Sequence, residues 1–464
     1  LLMNGSIRDQ NAPGTLTRQS DPVYGSYSRD FDINPYSYAL NTSRLITPYD
    51  ENGNLEYFTR NYAPFNIINE LESNYLQLRL LDIKIQGGMK YEFLPRLTYS
   101  VDGAYRYASS ERNHYALENS NMVAAFRANG TTVINENNDF LYDDPDFPTF
   151  PAFVVLPEGG FYNTTINNIK NYYFRQNLEY DKEFNEKHKL NVFGSMEVRY
   201  TDRQNSEYDG IGYQYGNGGL VNPNYRYFKK MIEAGDPYFS MFYNKERNVA
   251  FMTRAAYSYD SRYTLNTTFR YDGSNRMGSS SSVRWLPTWN VSGAWNLDQE
   301  SFYPKNDYLS SARFRGTYGL VANMGDASNS STLYFNRISR RPYENEKETS
   351  TYIASLANSE LTWEKLYELN IGADLGLFKD KINITVDYYN RDIFDLLGNL
   401  RTSGVGGQAT KYANYGKMKA KGFEFTIGGN PINNPKGFRW RTQLNFAHNT
   451  NEVTELEVIR IYGL

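Results

Sequence analysis

The chain has no cysteine and only three histidines in 464 residues. A disulfide framework, a thiol nucleophile and a thiolate metal site are thereby excluded, and His114, His188 and His448 are the whole imidazole supply. No run approaches the roughly 18 consecutive apolar residues of a transmembrane helix, so any bilayer crossing has to be made by strands. Basic residues are not in excess. A formal net charge of -3 lacks the basic face that a nucleic-acid partner requires. The opening Leu1-Leu2-Met3-Asn4 has no basic stretch followed by an apolar core, so the sequence reads as processed or as an internal piece, without a secretory signal of its own.

Aromatic residues, by contrast, are plentiful: they make up 16% of the chain and include 42 tyrosines, alongside a mean hydropathy of -0.67. That combination is unusual for a soluble enzyme. It suits a barrel whose strands turn every second residue to water. The run Leu97, Tyr99, Val101, Gly103, Tyr105, Tyr107 alternates with Thr98, Ser100, Asp102, Ala104, Arg106, Ala108. Period-two alternation puts the two sets on opposite faces of a strand.

The pattern recurs on both sides of short polar breaks. Leu81, Ile83, Ile85, Met89 and Tyr91 precede Pro95-Arg96; Tyr172 to Tyr180 and Leu190 to Tyr200 flank Asn185-Glu186-Lys187; Val249 to Tyr259 and Tyr263 to Tyr271 flank Asp260-Ser261-Arg262. Further strands are expected from Trp285 to Trp295, Arg313 to Leu320, Trp363 to Leu377, Ile382 to Asn390, Gly422 to Gly428 and Phe438 to Asn449. The total is about twelve strands from residue 75 onward, each about ten residues long. Ten residues at about 3.3 Å span roughly 33 Å, and a tilt of 35 to 45 degrees projects this onto roughly 25 Å, the height of a membrane barrel's apolar band. Trp285 and Trp295 should then stand near opposite interfaces. Connections alternate between minimal turns such as Lys379-Asp380 and links of tens of residues near 109 to 169, 201 to 246 and 322 to 362. Short periplasmic turns and long extracellular loops give that alternation. The fold class expected is an all-β, transmembrane antiparallel β-barrel; a β-sandwich with an aromatic core is the competing reading.

Few residues offer chemistry. The acidic run Asp139, Asp143, Asp144, Asp146 is broken by Pro145 and has no calcium-loop spacing, and Asp50-Glu51-Asn52-Gly53-Asn54 reads as a turn. Gly404, Gly406 and Gly407 have no strand-turn-helix context for a nucleotide. The histidines are scattered, so neither a catalytic triad nor a metal site is expected, and no cofactor. Tyr208, Tyr213, Tyr215, Asn217, Tyr225 and Tyr227 combine flat apolar faces with hydroxyl and amide groups, which suits stacking on sugars or gripping peptide backbone; packing of the loop on itself is the alternative. Arg106, Arg175, Arg199, Arg254 and Arg270 belong to the polar face, to touch a ligand or to pair with acids across strands.

Several segments in order carry a family resemblance: Asn34-Pro35-Tyr36-Ser37-Tyr38-Ala39-Leu40-Asn41, Tyr257-Ser258-Tyr259-Asp260-Ser261-Arg262-Tyr263, Arg270-Tyr271-Asp272-Gly273-Ser274-Asn275-Arg276, Leu361-Thr362-Trp363-Glu364, Asp387-Tyr388-Tyr389 and Asn414-Tyr415-Gly416 before Gly422-Phe423-Glu424. Across essentially its full length the chain resembles the SusC/RagA family of TonB-dependent outer-membrane transporters. Met277 stands where that family commonly has Phe. No stretch resembles the family's plug domain, its TonB-contacting segment or its closing aromatic strand. The resemblance implies a middle section of a 22-stranded barrel in the bacterial outer membrane. It also implies TonB-driven import of an oligosaccharide or peptide, with a SusD-like lipoprotein over the mouth, TonB acting through a plug domain outside this chain, outer-membrane lipid around the wall, and no enzyme activity. The competing class is a surface adhesin or glycan-binding β-protein without transport.

Overall fold

Alternation of apolar and polar side chains makes one very large sheet. The structure, a computed structural model, describes the chain apart from residues 15–32, 133–134, 136–137, 139, 145, 235–237, 278–280, 305–307, 326–328, 330–331, 341–346, 356–357, 359, 402–409, 434–436 and 457–464. Asp139 of the acidic run, Gly404, Gly406 and Gly407, and the terminal Ile461, Tyr462, Gly463 and Leu464 lie outside the described residues. The main strands are β1 Leu2–Pro13, β2 Asn74–Leu94, β3 Leu97–Ala116, β4 Gly160–Phe184, β5 His188–Gln214, β6 Phe239–Tyr259 and β7 Tyr263–Ser274. They continue as β8 Trp285–Asn296, β9 Leu309–Asn323, β10 Glu364–Leu377, β11 Ile382–Arg401, β12 Thr410–Asn433 and β13 Arg439–Leu456. Each pairs antiparallel with the next, in sequence order, and a two-residue strand at Leu220–Val221 adds to β5. This is an all-β, antiparallel barrel wall in which every neighbour comes from a hairpin.

The tight turns lie where the sequence places them. Asn185-Glu186 and Asp260-Ser261 both have positive φ at two successive residues, the backbone a two-residue hairpin needs to match strand twist. All the long links fall at the opposite end of the wall.

Register fixes which face is which. Phe251 lies opposite Tyr271, Tyr257 opposite Leu265, Phe269 opposite Trp289, and Trp295 opposite Phe314. The same face continues through Ile371 opposite Tyr388 and Tyr388 opposite Phe423. Leu265 is 49% exposed and Phe269 47%, with no second sheet packed over them among the described residues. The β-sandwich reading is overturned here, because a sandwich would bury this face. In water so broad an apolar surface would drive aggregation; against hydrocarbon it is the favourable arrangement. At the two ends of β8, Trp285 stacks on Tyr271 at 5.1 Å and Trp295 on Tyr263 at 6.4 Å between ring centroids.

Strand length differs from expectation. β4 and β5 run 25 and 27 residues, well beyond the roughly ten that cross a bilayer, so the wall continues far above the apolar band. The links expected over 109 to 169 and 201 to 246 are correspondingly shorter, because their ends are strand. Those ends are polar on both faces, as in Asn163, Thr164, Thr165 and Asn167, Asn168, and alternation does not reveal strands that no bilayer touches. β1 escapes because its apolar side is sparse: Met3 and Ile7 lie opposite Ile85 and Leu81 of the outer face, but Gly5, Asp9 and Asn11 share that side.

Among the described residues, buried cores lie in the long links and the strand ends beside them. One gathers Met122, Val123, Phe126, Phe140, Val155, Phe161 and Tyr227. A second holds Met277, Leu286, Leu361 and Trp363, so Met277 packs inside a buried cluster. Short helices order these links: α1 Pro35–Asn41, α2 Ile67–Ser73, α3 Asn121–Arg127 and α4 Tyr225–Ala234.

Candidate functional site

The polar face of the sheet is lined by guanidinium–carboxylate pairs. Arg106 meets Asp82 at 2.6 Å, Arg175 meets Asp102 in the opposite register position at 3.5 Å, Arg199 meets Glu197 at 3.3 Å, and Arg270 meets Asp272 at 2.8 Å. Arg254 differs. Its guanidinium donates to the Asn191 amide oxygen at 3.1 Å and lies 5.5 Å from the Phe193 ring centre, while the Asn191 amide nitrogen donates to Glu179 and Asp181. Farther along, Arg315 holds Asp374 at 3.2 Å and Asp387 at 2.7 Å. A Cβ on Gly372 would stand 2.6 Å from Asp387 and 2.7 Å from the Arg315 guanidinium carbon, so glycine there lets the arginine cross to the second carboxylate. Half-exposed pairs of this kind contribute little stability each, up to about 1 kcal/mol; their effect is to keep the wall polar and close to neutral. Between β1 and β4 the same face forms a cavity of about 680 Å³ lined by Asn4, Ser6, Lys84, Gln86, Asn171 and Tyr173.

At the loop end, amide side chains tie separate links together. Asn66 caps α2, and its amide nitrogen donates to the Pro48 and Glu56 carbonyls at 2.7 Å each. Asn121 donates from its backbone to the Glu70 carboxylate at 2.7 Å and from its side chain to the Arg60, Ala63 and Pro64 carbonyls. Burial pushes the Glu70 carboxyl above the usual carboxylate range, partly offset by that backbone donor and by Asn69. His114, at the loop end of β3, is buried with its Nε2 2.6 Å from Asn74 Oδ1. Desolvation, with Arg112 adding repulsion, pushes its imidazole down to about 4. The sequence signal for this knot was present as asparagines at helix caps, but its residues read as loop.

The six candidate aromatic and amide residues separate into two groups. Tyr213 and Tyr215 belong to a tyrosine column across four strands: Tyr75 stacks on Tyr115 at 5.0 Å, Tyr115 meets Tyr162 at 5.2 Å, Tyr162 meets Tyr213 at 5.7 Å and Tyr213 meets Tyr215 at 4.7 Å. Tyr215 donates to the Phe161 carbonyl at 2.6 Å, and burial raises its phenol. Tyr227 is 2% exposed and lies against Phe140. These three pack the links on themselves. Tyr208, Asn217 and Tyr225 are exposed. Tyr208 shares the face of Val198 and Tyr200, away from the polar interior, and Tyr225 lies under the Arg226 guanidinium at 5.1 Å.

No group of three or more metal-binding side chains forms among the described residues. Asp144 is engaged by Arg226 at 3.3 Å, and His188 by the Tyr257 hydroxyl at 2.6 Å.

Comparison with known proteins agrees with this geometry. Residues 6–458 match the family described as TonB dependent receptor-like, beta-barrel. TonB-dependent receptor P39 of Formosa agariphila is 24% identical over 457 residues, covering 93% of this chain and 37% of that receptor. Receptor P3 of the same organism is 25% identical over 393 residues, 79% of this chain and 37% of that receptor. Among solved structures, the RagAB peptide importer in its closed-closed state is similar with a TM-score of 0.68 at 19% identity, over 100% of this chain and 46% of that one. Its open-open state gives 0.68 over 100% and 45%. At that identity the likeness establishes the fold. The chain spans about 37% of the length of these curated relatives.

Proposed function

Because the chain belongs to the TonB-dependent receptor β-barrel family, we propose that it builds part of the wall and loops of a bacterial outer-membrane importer of nutrient oligomers. The single observation that carries this is one sheet with an apolar outer face, from Phe251 to Phe423, and a charge-paired inner face, from Arg106 to Arg315. Such a wall separates hydrocarbon from an aqueous passage and performs no bond chemistry. The adhesin reading accounts for the loops but leaves the outer apolar row without a partner.

Peptide is the cargo favoured over oligosaccharide, supported by fold likeness to a protein described as a peptide importer. In this reading a SusD-like lipoprotein covers the loop end, and TonB acts through a plug contributed by parts of the receptor outside this stretch. Tyr208, Asn217 and Tyr225 are the exposed candidates to meet cargo or lipoprotein.

The test is uptake of labelled peptides and labelled oligosaccharides by cells with and without the full receptor, in backgrounds with and without TonB. Peptide uptake that needs both supports the proposal. Binding at the surface that is unchanged without TonB, with no internal label, contradicts it in favour of the adhesin.

A further inference from the structure

The outer face has a gap where two of its glycines meet. In register, Gly293 of β8 lies opposite Gly316 of β9, between Leu265 on one side and Ile371 on the other. Neither glycine is needed by the backbone, since neither has positive φ. Nor does internal packing need them: a Cβ on Gly316 would meet nothing within 4 Å, and one on Gly293 only the Thr264 carbonyl at 3.9 Å. Missing side chains at two neighbouring positions leave a notch of about 550 Å³ bounded by Leu265, Tyr263, Trp295 and Phe314. Its lower rim is the aromatic row in which Trp295 stacks on Tyr263 and lies 6.2 Å from Phe314; above it stand Trp289 and Tyr318, 5.5 Å apart.

Immediately below that rim the Asp260–Ser261 turn presents a cation and an anion together. Arg262 pairs with Asp260 at 3.0 Å and with Glu300 at 3.4 Å, and the Asp260 and Arg262 side chains each keep about a third of their surface open. Two carboxylates against one guanidinium make the group net negative. A headgroup bearing both phosphate and ammonium complements it, whereas a purely anionic one is repelled.

We propose that this notch is a binding site for an ethanolamine phospholipid of the periplasmic leaflet. An acyl chain lies across Gly293 and Gly316, the phosphate reaches Arg262 and the ammonium reaches Asp260. The inference rests on the membrane reading above. An apolar notch in hydrocarbon cannot hold water, which needs polar partners, so an acyl chain fills it.

The experiment uses the full receptor extracted from outer membranes in mild detergent and exposed to equal phosphatidylethanolamine and phosphatidylglycerol, with bound lipid read by native mass spectrometry. Wild type should retain the ethanolamine lipid at least fivefold over the glycerol lipid. Gly316→Leu, which fills the notch, should lose retention about tenfold, and Gly316→Ala should lose part of it. Asp260→Asn should keep lipid but lose the headgroup preference. Equal retention by wild type and Gly316→Leu, equal binding of the two lipids, or a dimer formed through this face would overturn the site. A receptor absent from the membrane fraction would instead defeat the membrane reading itself.

Discussion

Tyr263 and Trp295 stack across adjacent strands with 13° between their ring planes, and both donate a hydrogen bond to the same Glu300 carboxylate. One end of each ring is apolar and faces outward, while the polar atom is drawn to the turn. That is how an aromatic side chain fits a membrane–water boundary. Trp295→Ala should therefore lower folding stability in lipid vesicles by about 1–2 kcal/mol, and Trp295→Phe, which keeps the stack but loses the N–H, by less. Equal losses for the two would mean that the stack contributes nothing.

Arg315 spans Gly372 to reach Asp387. Gly372→Ala should displace the guanidinium and cost about 1 kcal/mol, as should Asp387→Asn. Since both remove one interaction, their combination should fall short of the sum in vesicle-refolding titrations. Full additivity would show that the bridge is not what glycine protects.

Tyr227 and Tyr225 are two residues apart and differ completely. Tyr227→Ala should empty a buried position and cost about 3 kcal/mol within the loop assembly, read as faster protease cleavage of the 117 to 159 link. Tyr225, 70% exposed, should tolerate alanine with no change in protease resistance, and Tyr225→Ala should lower cargo or lipoprotein binding if that surface is used. Loss of protease resistance in both would contradict the division.

His114 carries a pH dependence of known sign. Its folded pKa lies below the unfolded value of 6.5, at about 4, so the folded state favours neutral imidazole. Stability is full above pH 6.5 and is lost as pH falls toward 4, levelling off below it at about 3 kcal/mol. Hydrogen exchange at the β3 loop end should accelerate over that interval in wild type, and His114→Gln should abolish that acceleration. A flat wild-type profile would contradict the burial.

The barrel strands were legible in sequence because hydrocarbon on one face and water on the other impose strict alternation, as at Tyr263, Leu265, Phe269 against Asn266, Arg270. Where neither face meets lipid the signal disappears, and so the upper parts of β4 and β5 were not foreseen; β1 was missed because only Met3 and Ile7 mark its outer side. Candidate residues were harder to judge. Tyr215 and Tyr227 look like Tyr225 in sequence, and only the packing of Phe140 and the tyrosine column distinguishes them. The helix caps Asn66 and Ser120 read as loop, although each accepts backbone hydrogen bonds at the start of a helix.

The central claim is that the row containing Leu265 meets lipid. The most direct measurement is the folding free energy of Leu265→Arg and Asn266→Arg in lipid vesicles. Leu265→Arg should cost roughly 2–4 kcal/mol and Asn266→Arg close to nothing. Equal tolerance at the two positions, or the larger loss at Asn266, would contradict the account.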